Sequence, residues 1–130
     1  MKESELQVMV ADYLRLEYPG AMFHSDFGSG IKLTQGQAIK QKRQNGGRRA
    51  WPDMFIAEPE LLDNGEGSYG LFIELKKEGT RLKKKDGSWA SDHIAEQAEM
   101  LERLEFRGYR AVFAVGFDEA KQIIDNYFRR

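Results

Sequence analysis

The sequence predicts an α/β fold in which helices flank a β-sheet. Three observations predict it: two long segments carry apolar residues at helical spacing, two short apolar runs are joined by a turn-rich connection, and a β-branched, aromatic run follows the second long helix. The predicted order is α-β-(α)-β-β-α-β-α. At 130 residues the chain has room for one core, which predicts a single domain over residues 1–130.

The first half of the chain is predicted to form a helix, a short strand and a second, exposed helix. Ser4 is a candidate N-cap for the first helix, which Pro19 and Gly20 end. Its apolar residues at helical spacing are Leu6, Met9, Val10, Tyr13 and Leu14. Residues 21–27 are aromatic and weakly alternating, which favours a strand, whereas residues 34–45 are polar and basic, which is typical of a solvent-exposed helix.

The second half is predicted to contain a β-hairpin, a long helix, a buried strand and a final helix. Residues 53–57 and Leu71–Lys76 are the hairpin strands, because turn residues separate them. Ser91 caps the long helix, residues 109–115 form the buried strand, and Asp118 caps the final helix. The apolar side of this final helix serves either a partner contact or the core, and it comprises Ile123, Ile124, Tyr127 and Phe128.

The composition excludes several classes of protein. With 41% hydrophobic and 32% charged residues, the chain is expected to form a packed core inside a charged shell rather than to be disordered. No apolar run is long enough for a membrane helix, and the charged residues 1–6 are unlike a secretory signal. The absence of cysteine excludes disulfides, thiolate nucleophiles and cysteine-ligated metals. We therefore expect an intracellular protein with no membrane partner.

The net charge of -1 conceals two strongly basic windows. Residues 31–49 and 76–85 together carry 12 basic residues and one acidic residue, whereas the rest of the chain carries 8 basic and 20 acidic residues. Because the basic residues are segregated in this way, a near-neutral total does not exclude a nucleic-acid partner.

Three charged residues are predicted to meet within the hairpin. Residues two apart on a strand share a face, so Glu74 and Lys76 project together, and pairing of the hairpin strands would bring Asp53 beside Glu74. An isolated pair of charges like this is usually an ordinary exposed pair. Both strands are otherwise apolar, however, and charges embedded in near-buried strands need partners or a metal ion to offset their desolvation. A hard divalent ion such as Mg²⁺ fits the oxygen ligands of this group, with a strand carbonyl such as that of Leu75 as a third.

The motif Pro52-Asp53 … Glu74-Leu75-Lys76 resembles the PD-(D/E)XK nuclease signature. The chain as a whole is similar to the stand-alone viral and bacterial VRR-NUC domains, the virus-type replication-repair nucleases. The further residues that carry this resemblance are Glu5-Leu6-Gln7, Gly46-Gly47, Ile73, Gln97 and Gly116. The chain departs from the family pattern at Ala50-Trp51, where relatives often have glycine, and in the lysine-rich loop after Lys76.

This resemblance implies a restriction-endonuclease-like core, a mixed β-sheet flanked by helices in the order α-β-β-β-α-β, and a metal-dependent phosphodiesterase. It implies that Asp53 and Glu74 bind Mg²⁺ or Mn²⁺ with the help of the Leu75 carbonyl. Lys76 would orient or deprotonate the attacking water and stabilise the developing negative charge, while the metal acts as a Lewis acid.

The resemblance also implies roles for residues on two helices. Glu5 matches the position of a further acidic metal-site residue, with Glu3 as the alternative, although an acidic residue in a first helical turn also interacts favourably with the helix dipole alone. Gln97 is expected behind the catalytic residues, where it would hold Lys76 or a water. The alternative for Gln97 is an ordinary exposed helix glutamine.

Basic residues and tryptophans flank the predicted metal site in sequence. The first basic cluster precedes the Asp53 strand and comprises Lys32, Lys40, Lys42, Arg43, Arg48 and Arg49. The second basic cluster follows Glu74 and comprises Lys77, Arg81, Lys83, Lys84 and Lys85. Charge runs are usually solvated faces, but the position of both clusters indicates contact with a DNA phosphate backbone. Trp51 and Trp89 lie near them and either stack on bases or belong to a core or interface, and His24 is expected to be packed or hydrogen-bonded.

The resemblance implies a structure-specific DNA endonuclease that resolves four-way (Holliday) junctions as a homodimer, with a role in DNA repair. Two active sites related by a two-fold axis match a substrate with two equivalent strands. The alternatives are a flap or nick nuclease with the same site, and a non-catalytic DNA-binding module that keeps the fold.

Overall fold

The computed structural model describes residues 1–26, 33–62 and 64–129, which form helices and short strands. The helices are α1 (Glu3–Glu17), α2 (Gln35–Gln44), α3 (Asp92–Phe106) and α4 (Phe117–Tyr127). The strands are β1 (Phe23–Ser25), β2 (Met54–Ile56), β3 (Glu60–Leu61), β4 (Gly67–Ser68), β5 (Leu71–Lys76) and β6 (Arg110–Val115).

Four of the strands form one sheet in the order β1-β2-β5-β6. β1 pairs antiparallel with β2, β2 pairs antiparallel with β5, and β5 pairs parallel with β6 across α3. This mixed sheet flanked by helices confirms the predicted fold class. The predicted hairpin is the β2–β5 pair, and its connection contains a small second ladder, β3–β4, that the sequence did not predict.

The side chains of β5 alternate between the two faces of the sheet, and each face packs against a different layer of the molecule. Leu71, Ile73 and Leu75 face one side of the sheet and are no more than 1% exposed. They pack there with the apolar residues of α1 and α4. Phe72 and its neighbours face the other side, where α3 covers part of the sheet. The charged residues of β5 therefore lie on the α3 side.

Two helix starts differ from the prediction. α1 begins at Glu3 with Lys2 as its N-cap, so Ser4 lies inside the helix. The Glu5 carboxylate accepts a hydrogen bond from the Lys2 backbone N–H at 3.3 Å, which satisfies that end of the helix. α4 begins after Gly116 and not after Asp118, because Gly116 ends β6 with a φ of 84° that favours glycine.

The apolar side of α4 belongs to the core. Ile124 and Tyr127 are buried, and Ile123 and Phe128 pack against the same cluster. Of the two alternatives for this side, the structure supports the core.

By contrast, α2 contributes no buried residue.

Over residues 1–26, 33–62 and 64–129, no helix has both the length and the apolar character required to cross a membrane.

Candidate active site

Two carboxylates meet where β2 begins beside β5. The register pairs Met54 with Ile73 and Phe55 with Phe72, so continuing it by one residue places Asp53 opposite Glu74. Asp53 Oδ2 accepts a hydrogen bond of 2.8 Å from the backbone N–H of Leu75. This bond fixes Asp53 against the strand that carries Glu74, as the hairpin prediction required.

Helix α1 holds the backbone at the start of β2. Gln7 is 8% exposed, and its Nε2 donates to the carbonyl of Asp26 at 2.8 Å and lies 3.5 Å from the carbonyl of Asp53. The Asp26 N–H donates in turn to the Asp53 carbonyl at 2.7 Å. The segment that presents Asp53 is thus tied to both α1 and the end of β1.

Glu74 is unusual because it is a buried carboxyl group next to another carboxylate. It is 4% exposed, and the desolvation that follows from burial is the main reason that its pKa is raised to about 9. The charge of Asp53 raises it further, and the nearby ammonium of Lys76 lowers it. Without a cation, the pair therefore retains a proton at neutral pH.

Lys76 and Gln97 complete the buried polar group. They are each 6% exposed, and Lys76 shares the face of β5 that carries Glu74. Gln97 Nε2 donates to Glu74 Oε1 at 2.7 Å, while its Oε1 is buried without a hydrogen-bond partner among the described residues. Gln97 is therefore not the exposed glutamine of the alternative interpretation, and it contacts Glu74 rather than Lys76.

The structure brings Glu3, rather than Glu5, toward this group. Glu3 is half-buried, its charge contributes to the raised pKa of Glu74, and its Oε2 lies 3.5 Å from the Lys77 backbone N–H. Glu5 is exposed and bonds to Lys2 at the helix end.

A signal for Glu3 was present in the sequence. The spacing i, i+4, i+7 and i+11 places four residues of α1 on one face of the helix, namely Glu3, Gln7, Val10 and Leu14. The apolar stripe of α1 therefore continues, toward the start of the helix, into two polar residues.

The donor set fits a hard divalent ion. It consists of oxygen atoms, which are the ligands that Mg²⁺ prefers, and includes two neighbouring carboxylates. Within the described part of the chain, no group of three or more histidine, aspartate and glutamate side chains converges in a way that could hold a metal. Two carboxylates with water and substrate oxygens are, however, the usual environment of Mg²⁺ in proteins.

Comparison with known proteins relates the fold of the chain to that of a solved structure. No known family profile and no curated protein matches the sequence. Among solved structures, the chain is similar to a VRR_NUC domain protein, with a TM-score of 0.68 and 26% sequence identity over 99% of this chain and 89% of that chain. The chain folds as a VRR-NUC domain. At the level of this family, the fold is that of a nuclease.

The basic residues of this VRR-NUC domain are on its surface. Lys32 of the first basic cluster lies outside the described residues. The other members of this cluster lie on α2 and in the segment that leads to Trp51, and each of these is exposed. The second basic cluster is exposed in the loop between β5 and α3. There, Lys83 Nζ lies 4.8 Å from the ring centroid of Trp89, which packs against Phe113.

His24 was expected to be packed or hydrogen-bonded, but it is exposed on β1, so the packed alternative is wrong. It lines a cavity of about 330 Å³ together with Trp51 and Asp53. Sequence reasoning had missed this cavity, because it depends on how α2 lies against the sheet and no periodicity in the chain encodes that placement.

Proposed function

We propose that this VRR-NUC domain is an Mg²⁺- or Mn²⁺-dependent DNA endonuclease that hydrolyses phosphodiester bonds. The observation that carries the proposal is the carboxylate pair of Asp53 and Glu74, with Glu74 buried, next to the equally buried Lys76. Such a group is costly to bury unless a cation or a proton compensates it. A divalent ion would compensate the negative charge of the two carboxylates. The phosphate diester of the substrate would compensate the positive charge of Lys76.

Asp53, Glu74 and the Leu75 carbonyl would hold the ion. The N–H and C=O of one strand residue point to the same side, and the Leu75 N–H points at Asp53. The Leu75 carbonyl is therefore expected on the same side as the Asp53 carboxylate. When bound, the ion would supply Lewis-acid polarisation of a phosphate oxygen.

Lys76 and Gln97 would support the reaction in different ways. Lys76 places a positive charge where negative charge develops on the phosphate, and burial strengthens that interaction because little water screens it. Its ammonium would also orient the attacking water. Gln97 is a positioning residue, because its contact is with Glu74 and not with a reacting atom.

The reaction is a simple hydrolysis. The water oxygen forms a bond to phosphorus, and the bond from phosphorus to the leaving ester oxygen breaks. The proton released by water goes to solvent, and the leaving oxygen takes up a proton. No redox partner or second substrate is needed.

Branched DNA is the proposed substrate, with the four-way junction cut by a homodimer as the first candidate and a flap or nick as the alternative. Two exposed basic clusters flank the carboxylate pair in sequence, which suits contact with the DNA backbone over base-specific recognition. We propose a homodimer because a four-way junction has two equivalent strands to cut, which matches two active sites related by a two-fold axis. A light-scattering mass equal to one chain under assay conditions would refute the homodimer.

A cleavage assay tests the catalytic proposal. Labelled four-way junction, flap and linear duplex are incubated with wild type, Asp53→Asn, Glu74→Gln and Lys76→Ala in Mg²⁺ or Mn²⁺. We expect wild type to cut a branched substrate and each variant to lose at least about 100-fold in rate, which corresponds to about 2.7 kcal/mol of transition-state stabilisation. Glu99→Gln, an exposed change on α3, serves as the matched control and should cleave like wild type.

Cleavage that persists in all three variants would overturn the assignment of the site. Binding without cleavage of any substrate would favour the non-catalytic DNA-binding module.

Metal binding has a readout that does not depend on catalysis. Mg²⁺ or Mn²⁺ should raise the Tm of wild type, because an ion that binds only the folded chain stabilises it. The same ion should give a much smaller rise in Asp53→Asn. Equal shifts in both proteins would contradict a site at this carboxylate.

A further inference from the structure

A groove runs along the sheet beside Asp53 and beneath α2. One part of this groove is the cavity of about 330 Å³, which Asp53, Trp51 and residues of β1, α2 and β5 line. Cavities that bind small ligands are about 300–1,000 Å³. This cavity is at the lower end of that range, which suits one flat ring system rather than a base pair.

One wall of the cavity is aromatic and rigid. Phe55 and Phe72 stack with ring centroids 4.4 Å apart and planes 24° apart, and Tyr109 packs edge-on against both. Trp51 also lines the cavity, with its ring centroid 6.4 Å from that of Phe72, and is still 38% exposed. Part of a large π surface is therefore accessible next to a candidate metal-binding carboxylate.

The lining of the cavity also includes groups that donate and accept hydrogen bonds. Gln41 and Gln44 come from α2, Asn45 from the residue that ends this helix, and the exposed His24 from β1. Side-chain amides present a donor and an acceptor side by side, which matches the edge of a nucleobase.

The cavity that adjoins the first one is cationic. A second cavity of about 340 Å³ shares Asp26, Gln41, Asn45 and Trp51 with the first. It is also lined by Lys42, Arg48 and Arg49. Asp53 and the stacked phenylalanines line only the first cavity, and the three cations line only the second. The two adjoining cavities therefore offer separate places for the base and the phosphates of one nucleotide. The carboxylate of Asp26 would repel a phosphate, so the backbone is expected on the Arg48 side.

We propose that this groove binds one unpaired nucleotide of the DNA, with its base stacked on Trp51 and its phosphates on Arg48 and Arg49. The inference rests on the proposed nuclease function and adds a specificity determinant to it. Within a continuous duplex the base is stacked and paired, so it must leave the helix to enter the cavity, which is easiest where pairing is already broken. The groove therefore favours branched, bulged or flapped DNA over linear duplex.

Tryptophan fluorescence tests the proposal directly, because the chain has two tryptophans. Trp89→Phe leaves Trp51 as the only reporter, and Trp51→Phe leaves Trp89 as the matched control. Each protein is titrated in EDTA with a duplex that has a single-nucleotide bulge, and with the same duplex whose bulged nucleotide is abasic. We expect quenching of Trp51 that requires the base, about tenfold weaker binding of the abasic duplex, and no dependence on the base in the Trp89 reporter.

Unaltered wild type supplies the second measurement, so the test does not depend on the folding of a variant. Its affinities for the bulged and abasic duplexes, measured by anisotropy, should differ by the same factor of about ten. Equal affinities would overturn the nucleotide groove and leave the nuclease proposal standing if cleavage is retained. Failure to bind or cut any DNA would overturn both.

Discussion

Glu74 makes the stability of the metal-free protein depend on pH. Its pKa is about 9 in the folded chain against an ordinary value of 4.5, chiefly because burial disfavours the charged form. Between these two values the folded state binds more protons than the unfolded state, so the free energy of unfolding falls as the pH rises. We therefore expect the Tm in EDTA to fall from pH 5 to pH 9 in wild type.

The matched measurement is a pH series of Tm values for Glu74→Gln and Glu99→Gln in EDTA. Glu74→Gln removes the titrating group and should show a flatter profile, whereas Glu99→Gln alters an exposed surface carboxylate and should follow wild type. Parallel profiles for wild type and Glu74→Gln would contradict the raised pKa.

Gln97 is predicted to matter more for catalysis than for stability. Gln97→Met removes the 2.7 Å hydrogen bond to Glu74 but also removes a buried oxygen that has no partner in the described part of the chain. The two effects oppose each other, so we expect less than about 2 kcal/mol of destabilisation in urea unfolding. Single-turnover cleavage should nevertheless fall about tenfold, because Glu74 is no longer held in place.

The exposed Gln122 provides the control for this variant, and Gln122→Met should change neither quantity. A cleavage rate for Gln97→Met equal to that of wild type would show that Gln97 does not position the site.

Among the site residues, the sequence predicted those whose placement follows from strand periodicity. Glu74 and Lys76 share a face because they are two apart, and the hairpin register brings Asp53 to them. The choice between Glu3 and Glu5 could not be made in the same way. It depends on where α1 begins, and the helix begins at Glu3, ahead of the serine that the capping pattern favoured.

Gly70, directly before β5, is closely approached by residues of β2. A Cβ atom at this position would lie 2.6 Å from the ring of Phe55 and 2.9 Å from the carbonyl oxygen of Ile56. Since both neighbours belong to the packed β2–β5 hairpin, we expect Gly70→Ala to destabilise the protein by about 1–3 kcal/mol in urea unfolding.

Gly36 in α2 is the matched control. No atom of the described residues lies within 4 Å of a Cβ built there, and α2 buries no residue, so Gly36→Ala should leave stability unchanged or raise it slightly. If the two alanine variants unfold alike, the close approach at Gly70 does not limit stability.

The hairpin and the long helices were predictable because their apolar residues repeat over many positions. The β3–β4 ladder was not, because strands of two residues are too short to show an alternating pattern. The orientation of α2 could not be predicted either, because an exposed polar helix has no apolar stripe that assigns it to a face of the sheet.

Across the whole molecule, charge segregation predicts how DNA binding responds to salt. The two basic windows carry a net charge of +11 and the rest of the chain carries -12. Replacing Lys40, Lys42 and Arg43 on α2 by alanine should reduce the slope of log affinity against log salt concentration by about one for each DNA phosphate that is no longer neutralised. The Tm should not change, because these side chains are exposed.

The control replaces three exposed cations outside the windows, Arg15, Arg103 and Lys121, by alanine. This variant has the same net charge as the α2 variant, so it separates local binding from total charge. Equal salt slopes in the two variants would refute DNA binding at α2.

The alternation of β5 has a consequence for which changes of length the chain can accept. Ile73 and Leu75 face the core while Glu74 and Lys76 face the candidate site, so a one-residue insertion or deletion within the strand would exchange the two sets. Two charges would then enter an apolar layer, and the carboxylate pair would be broken at the same time. The exposed loop between β5 and α3 has no such constraint, so variation in length among proteins with this fold should be concentrated there.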